Sequence, residues 1–183
     1  MKQQSVLSLL LAISSLFTAA GAHAECQIQL SETQINYGEM TRGELISRPG
    51  NSLSAAELRM GDERESEITV ICDRPTPLTL VFSGPAKDNE SYLFGDQGRV
   101  TLTLHDVTID DRPVMIESGG KQAAKMAFMA SNPMRFRKEG LIASGSTLRA
   151  KVTIATWLAA SATRVSDRQH WQLNGSFLVS SEG

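Results

Sequence analysis

Ile68-Thr69-Val70-Ile71-Cys72, followed by Leu78-Thr79-Leu80-Val81-Phe82, is the stretch that decides the fold class. In both runs apolar side chains recur at every second position, the period that turns one face of a strand toward a core and the other toward water. The same alternation returns at Val100, Leu102 and Leu104 against Thr101 and Thr103, and at Leu148, Ala150, Val152 and Ile154 against Arg149, Lys151 and Thr153. Near the end, Trp171, Leu173, Phe177 and Val179 alternate with Gln172, Asn174, Ser176 and Ser180, and Gly175 falls on the apolar side. Helical spacing is scarce. Turn-forming clusters separate the runs: Tyr37-Gly38, Pro49-Gly50-Asn51, Arg74-Pro75-Thr76-Pro77, Ser83-Gly84-Pro85, Gly95-Asp96-Gln97-Gly98, Asp110-Asp111-Arg112-Pro113 and Ser118-Gly119-Gly120. Short strands punctuated in this way predict an all-β, antiparallel sandwich. Residues 54–64 read as a short helical turn or an exposed loop, and residues 121–139 fit either strands or a helix.

The other end of the chain reads as an address. Lys2, the apolar run from Val6 to Phe17 and the small-x-small sequence Ala22-His23-Ala24 together predict a signal peptide over residues 1–24, cleaved after Ala24. The apolar run falls short of the roughly 20 residues that a bilayer crossing needs. Residues 25–183 then form one domain with a sizeable core. The whole chain carries 18 Lys and Arg against 20 Asp and Glu, and Lys2 would leave with the signal, so the mature domain is mildly acidic. That balance offers nothing to nucleic acid or to an anionic membrane.

Cys26 and Cys72, the two cysteines of the chain, both survive the expected cleavage. In an oxidising compartment an isolated pair reads as a disulfide. Closing so long a loop removes unfolded-chain entropy worth roughly 4 kcal/mol. No CxxC spacing supports thiol catalysis or a metal site.

Three further groups of residues carry possible chemistry. His105, Asp106, Asp110 and Asp111 form the densest set of metal-ligand types, although acidic residues ahead of Pro113 are also what a turn prefers. Ser118-Gly119-Gly120-Lys121 has the spacing of a serine-lysine pair, but two glycines make it a hairpin connection. Arg135, Phe136, Arg137 and Lys138 read as a basic and aromatic patch for acidic glycans or phosphate groups, or as a solvated strand face. There is no phosphate-cradling glycine loop, dinucleotide fingerprint or zinc-type histidine spacing. The expectation is a protein that is no enzyme and needs no cofactor and no metal.

Cys26, the segment Ile35-Asn36-Tyr37-Gly38, the run from Ile68 to Cys72 leading into Leu78 to Gly84, and the tail Trp171-Gln172-Leu173-Asn174-Gly175-Ser176-Phe177-Leu178-Val179 together resemble subunits of chaperone-usher pili. The resemblance spans nearly all of residues 25–183. It implies an immunoglobulin-like sandwich of pilin type that lacks its final strand. It also implies assembly through donor-strand complementation: a periplasmic chaperone, and then a neighbouring pilus subunit at the outer-membrane usher, supplies the missing strand. Carried over to this chain, Cys26 and Cys72 match the family's disulfide, Ile28 and Leu30 its first strand, and Trp171, Leu173, Phe177 and Val179 the inward positions of its last. These six apolar residues are the expected donor-strand groove.

Two departures refine the expectation. After the predicted cleavage only Glu25 precedes Cys26, whereas ordinary subunits carry a donor extension there, which implies a tip or minor subunit that accepts a strand and donates none. The tail, Ser180-Ser181-Glu182-Gly183, lacks the aromatic residue that many family members place near their end. Tip placement implies cell adhesion through a host-surface receptor, with the protein passing through the periplasm to a surface fimbrium. The alternative is a self-sufficient periplasmic sandwich that binds a carbohydrate or a peptide.

Overall fold

The computed structural model describes residues 24–130, 132–164 and 169–181. The expected signal peptide, Ala24 apart, lies outside the described residues. Among them no helix is long and apolar enough to cross a membrane.

Thirteen strands make up the described fold, and antiparallel pairing joins them into one curled sheet. They are β1 (Cys26–Leu30), β2 (Glu57–Arg59), β3 (Arg64–Ser83), β4 (Tyr92–Phe94), β5 (Gly98–Ile109), β6 (Arg112–Pro113) and β7 (Met115–Ser118). There follow β8 (Lys121–Ala123), β9 (Met126–Ala127), β10 (Met134–Lys138), β11 (Leu141–Ile142), β12 (Ser144–Ala159) and β13 (Ser176–Ser181). The main path runs β4-β5-β12-β3-β10-β7-β8. The all-β expectation therefore holds at the level of fold class.

Strand β3 organises the rest. Ile68, Val70, Cys72, Leu78, Leu80 and Phe82 are all buried on its inner face. Its first part pairs with β12 from Arg64 to Pro77, and its second part pairs with β10 and β13. Because one strand serves both arms of the curl, side chains from each arm meet in a single apolar cluster with Leu102, Leu104, Ile116, Phe128, Phe136, Leu148 and Val152.

The turn expected at residues 74–77 is not there: the strand runs straight through both prolines. The reason lies in the ladder. Pairing with β12 jumps from Ile71 opposite Thr147 to Thr76 opposite Gly145, so Pro75 sits where no partner asks for its missing N–H. On the other edge β1 stops at Cys72 and β13 begins at Leu78.

Three two-residue loops have both residues at positive φ, as a type I′ hairpin requires: Asp110-Asp111, Gly119-Gly120 and Glu139-Gly140. Residues 121–139 resolve into β8, β9 and β10, and residues 54–64 contribute β2, which pairs with the far end of β12. The helix α1 (Arg42–Ser47) was not foreseen from apolar periodicity, and its signal is local. The Thr41 side chain accepts from the Glu44 backbone N–H while Glu44 reaches back to the Thr41 N–H at 2.7 Å, a complete capping box. Asn51 then ties α1 to β2, donating to the carbonyls of Leu45 and Arg59 and accepting from the Arg59 N–H.

Candidate functional site

Strands β13 and β1 lie end to end along the same edge of β3. Ser176–Ser181 pairs with residues 83 down to 78, and Cys26–Leu30 pairs with residues 72 down to 68, so the two run in the same direction. They form one composite strand broken between Ser181 and Ala24, where the Ser181 hydroxyl donates to the Ala24 carbonyl at 3.2 Å. Among the described residues neither β1 nor β13 pairs with any strand but β3, so the outer backbone edge of the composite is open.

The side chains along that edge are half in and half out of the core. Ile28 and Leu30 on β1, and Phe177 and Val179 on β13, pack against the apolar cluster yet none is fully buried. Phe177 reaches deepest, edge-on to Phe82 at 4.9 Å and to Phe128 at 5.4 Å. Completing the burial of such a side chain is worth on the order of 1 kcal/mol. An incoming strand would add main-chain hydrogen bonds to that gain.

The disulfide anchors one half of the composite. Cys26 and Cys72 are bonded directly across the β1–β3 ladder, while β13 has no covalent link to β3.

Trp171 and Leu173 do not lie on this edge. The expected terminal strand from 171 to 179 is shorter and begins at Ser176. Ahead of it the chain diverges toward the β4–β5 turn, where Gly95 donates its N–H to the Gln172 carbonyl at 3.0 Å and its α-carbon lies under the Trp171 ring. Gly175 lets the chain pass close against β3, since a Cβ there would strike the Phe82 ring and the Ser83 carbonyl. The structure thus brings four of the six expected groove residues together and places the other two, both half-buried, upstream.

The basic and aromatic patch does not form as a unit. Alternation on β10 sends Phe136 into the core, 1% exposed, and Arg135 to the opposite face. Arg137 is engaged by Glu117 of β7, with its Nη2 at 3.3 Å from Oε1 and a closer contact from Nε. Lys138 is left near the β10–β11 turn.

Nor do the acidic residues near His105 converge on one point. His105 Nε2 lies 2.9 Å from the Thr153 hydroxyl, and its ring is flanked by Asp106 at 3.2 Å and Glu65 at 3.6 Å. Glu65 is shared with Lys151 at 3.0 Å, which holds the ammonium pKa above its ordinary value. Asp110 serves the backbone instead. Its Oδ1 accepts from the N–H groups of Ser146 and Thr147 at 3.1 and 3.0 Å, filling the bulge in β12. Among the described residues no three His, Cys, Asp or Glu side chains are placed to hold a metal ion. Ser118 and Lys121 face each other across their hairpin, with Ser118 buried and Lys121 exposed.

Sequence reasoning missed a concavity between the β5–β6 and β10–β11 hairpins, lined by Ile109, Arg112, Val114, Lys138, Leu141 and Ile142, among others. Its walls are distant in sequence, and neither periodicity nor motif signals their meeting. No family model matches the chain, and no curated protein matches its sequence.

Proposed function

We propose that this chain is a strand-accepting structural subunit of a surface fibre, an immunoglobulin-like sandwich of pilin type whose last strand comes from a partner. The observation that carries the reading is the open composite edge: half-buried Ile28, Leu30, Phe177 and Val179 beside backbone groups that no strand among the described residues pairs. A long unpaired edge flanked by unfinished apolar burial favours strand addition, and an exported protein left in that state invites aggregation. In this reading the signal peptide directs export, the disulfide forms in the periplasm, and a periplasmic chaperone covers the edge. At the outer-membrane usher a neighbouring subunit's strand replaces the chaperone. In the same reading the subunit takes a tip or minor position with a role in adhesion.

The second reading, a self-sufficient periplasmic sandwich, draws on the contact between Ser181 and Ala24, which makes the edge continuous within one molecule. The two readings part in one experiment. The oxidised chain of residues 25–183 is purified without partners, and its association state and melting are followed with and without a peptide of alternating apolar residues. Aggregation that the peptide relieves, with a one-to-one complex, supports strand acceptance. A monomer with a cooperative melt that ignores the peptide supports the self-sufficient module.

A further inference from the structure

The concavity between the two hairpins is independent of the composite edge, and its chemistry is specific. One wall is the β5–β6 hairpin and the other is the β10–β11 hairpin with the start of β12; together they border a half-open cleft of about 320 Å³. That is near the lower end of small-ligand sites, which run from roughly 300 Å³ upward. Both hairpins turn through tight two-residue loops, and the Asp110 carboxylate clamps the first of them to the backbone of Ser146 and Thr147. Gly145 is needed for that clamp, because a Cβ there would collide with Ile109 and Asp110. The β5–β6 wall is therefore tied to β12 without a ligand.

Ile109, Val114 and Ala143 form a buried apolar floor. Above it Leu141 and Ile142 are left 74% and 50% exposed, an unusual state for neighbouring large apolar side chains. Arg112 and Lys138 line the same space, and among the described residues neither has an ion-pair partner. Two acids, Asp110 and Glu139, share the lining; Asp110 turns Oδ1 to two amide N–H groups and keeps its charge, and among the described residues neither acid is within ion-pair distance of Arg112 or Lys138. We propose that this cleft binds a small amphiphilic anion: an apolar chain or ring lies on Leu141, Ile142 and the floor, and one carboxylate sits between Arg112 and Lys138. The volume admits a single chain or ring and no folded partner.

Sodium octanoate and uncharged octanol are suitable probes, titrated separately into the ¹⁵N-labelled, oxidised chain and followed by amide chemical shifts. The expected result is saturable shifts at Arg112, Val114 and residues 138–144, with octanoate binding about tenfold more tightly than octanol. Leu141→Asp abolishes both, and Arg112→Gln combined with Lys138→Gln lowers octanoate to the level of octanol. These substitutions fall on solvent-accessible side chains, so unchanged shifts elsewhere report an intact fold. Shifts that do not saturate below about 10 mM, or that map to Ile28 and Val179, would overturn the proposal. Equal binding of the two probes would also overturn it, since it would leave an apolar surface without anion recognition.

Discussion

The hydroxyl of Ser181 reaches the carbonyl of Ala24 at 3.2 Å, so the end of the last described strand touches the residue just ahead of the first. That contact bridges the break between the two strands, β13 and β1, that make up the edge. The two halves differ in tether, since β1 is covalently bound to β3 and β13 is not. We expect Ser181→Ala to cost about 0.5–1 kcal/mol locally. Hydrogen exchange should quicken in residues 176–181 and stay unchanged in residues 26–30; equal quickening in both would contradict the unequal tethering.

Removing the disulfide has a larger effect. The Cys26→Ser, Cys72→Ser double variant should lose roughly 4 kcal/mol in urea unfolding of the stabilised protein. The loss should be accompanied by release of β1, seen as lost protection of Gln27 and Gln29. Retained protection would mean that the β1–β3 ladder stands without its covalent link.

The bulge in β12 depends on two residues that act together. Asp110→Ala removes the carboxylate that accepts from the Ser146 and Thr147 N–H groups and places alanine at φ 48°, which together should cost about 2–3 kcal/mol. Gly145→Ala drives a methyl group into Ile109 and Asp110 and should cost about 1–3 kcal/mol. Because both changes disturb one contact, the double variant should lose clearly less than the sum, as a double-mutant cycle measures. Strict additivity would separate the two roles.

Tyr92 supplies a pH dependence of known sign. Its ring is 1% exposed and edge-on to Phe82 at 4.7 Å, and burial pushes its hydroxyl pKa above the ordinary value. The neutral form is thus favoured in the folded state. Its contribution is fully present below the unfolded pKa of about 10 and is lost as the pH rises through the folded value. Urea unfolding of wild type and Tyr92→Phe should therefore differ by a constant amount at neutral pH, with wild type losing stability faster above pH 10. Parallel curves would contradict the assignment.

Much of the core was legible because a period of two is a strong signal when one face of a strand is buried. Ile68, Val70, Leu78, Leu80, Phe82, Leu102, Leu104, Leu148 and Val152 all face inward as their alternation requires. The prolines of β3 misled because Pro75 and Pro77 usually mark turns, and only the partner register shows that Pro75 falls in a gap of the ladder where no N–H is wanted. Phe136 was misread for a related reason: composition groups it with Arg135 and Arg137, while the pleat of β10 separates them. The helix α1 was missed although Thr41 and Glu44 announce it, since a six-residue helix leaves little periodicity to find. Trp171 alternates correctly with its neighbours, yet pairing with β3 begins only at Ser176 and the segment ahead of it is held at Gly95 instead. The hairpin cleft depends on tertiary placement alone and left no trace in the sequence.

The central claim is that the outer edge of β13 and β1 stands open until another chain's strand pairs with it. Amide hydrogen exchange along residues 26–30 and 176–181, measured with and without an alternating apolar peptide of about a dozen residues, tests it most directly. The account predicts fast exchange of the outward amides in the lone chain and strong, simultaneous protection of both strands once the peptide binds. Outward amides already protected in the lone monomer, and unmoved by the peptide, would contradict it.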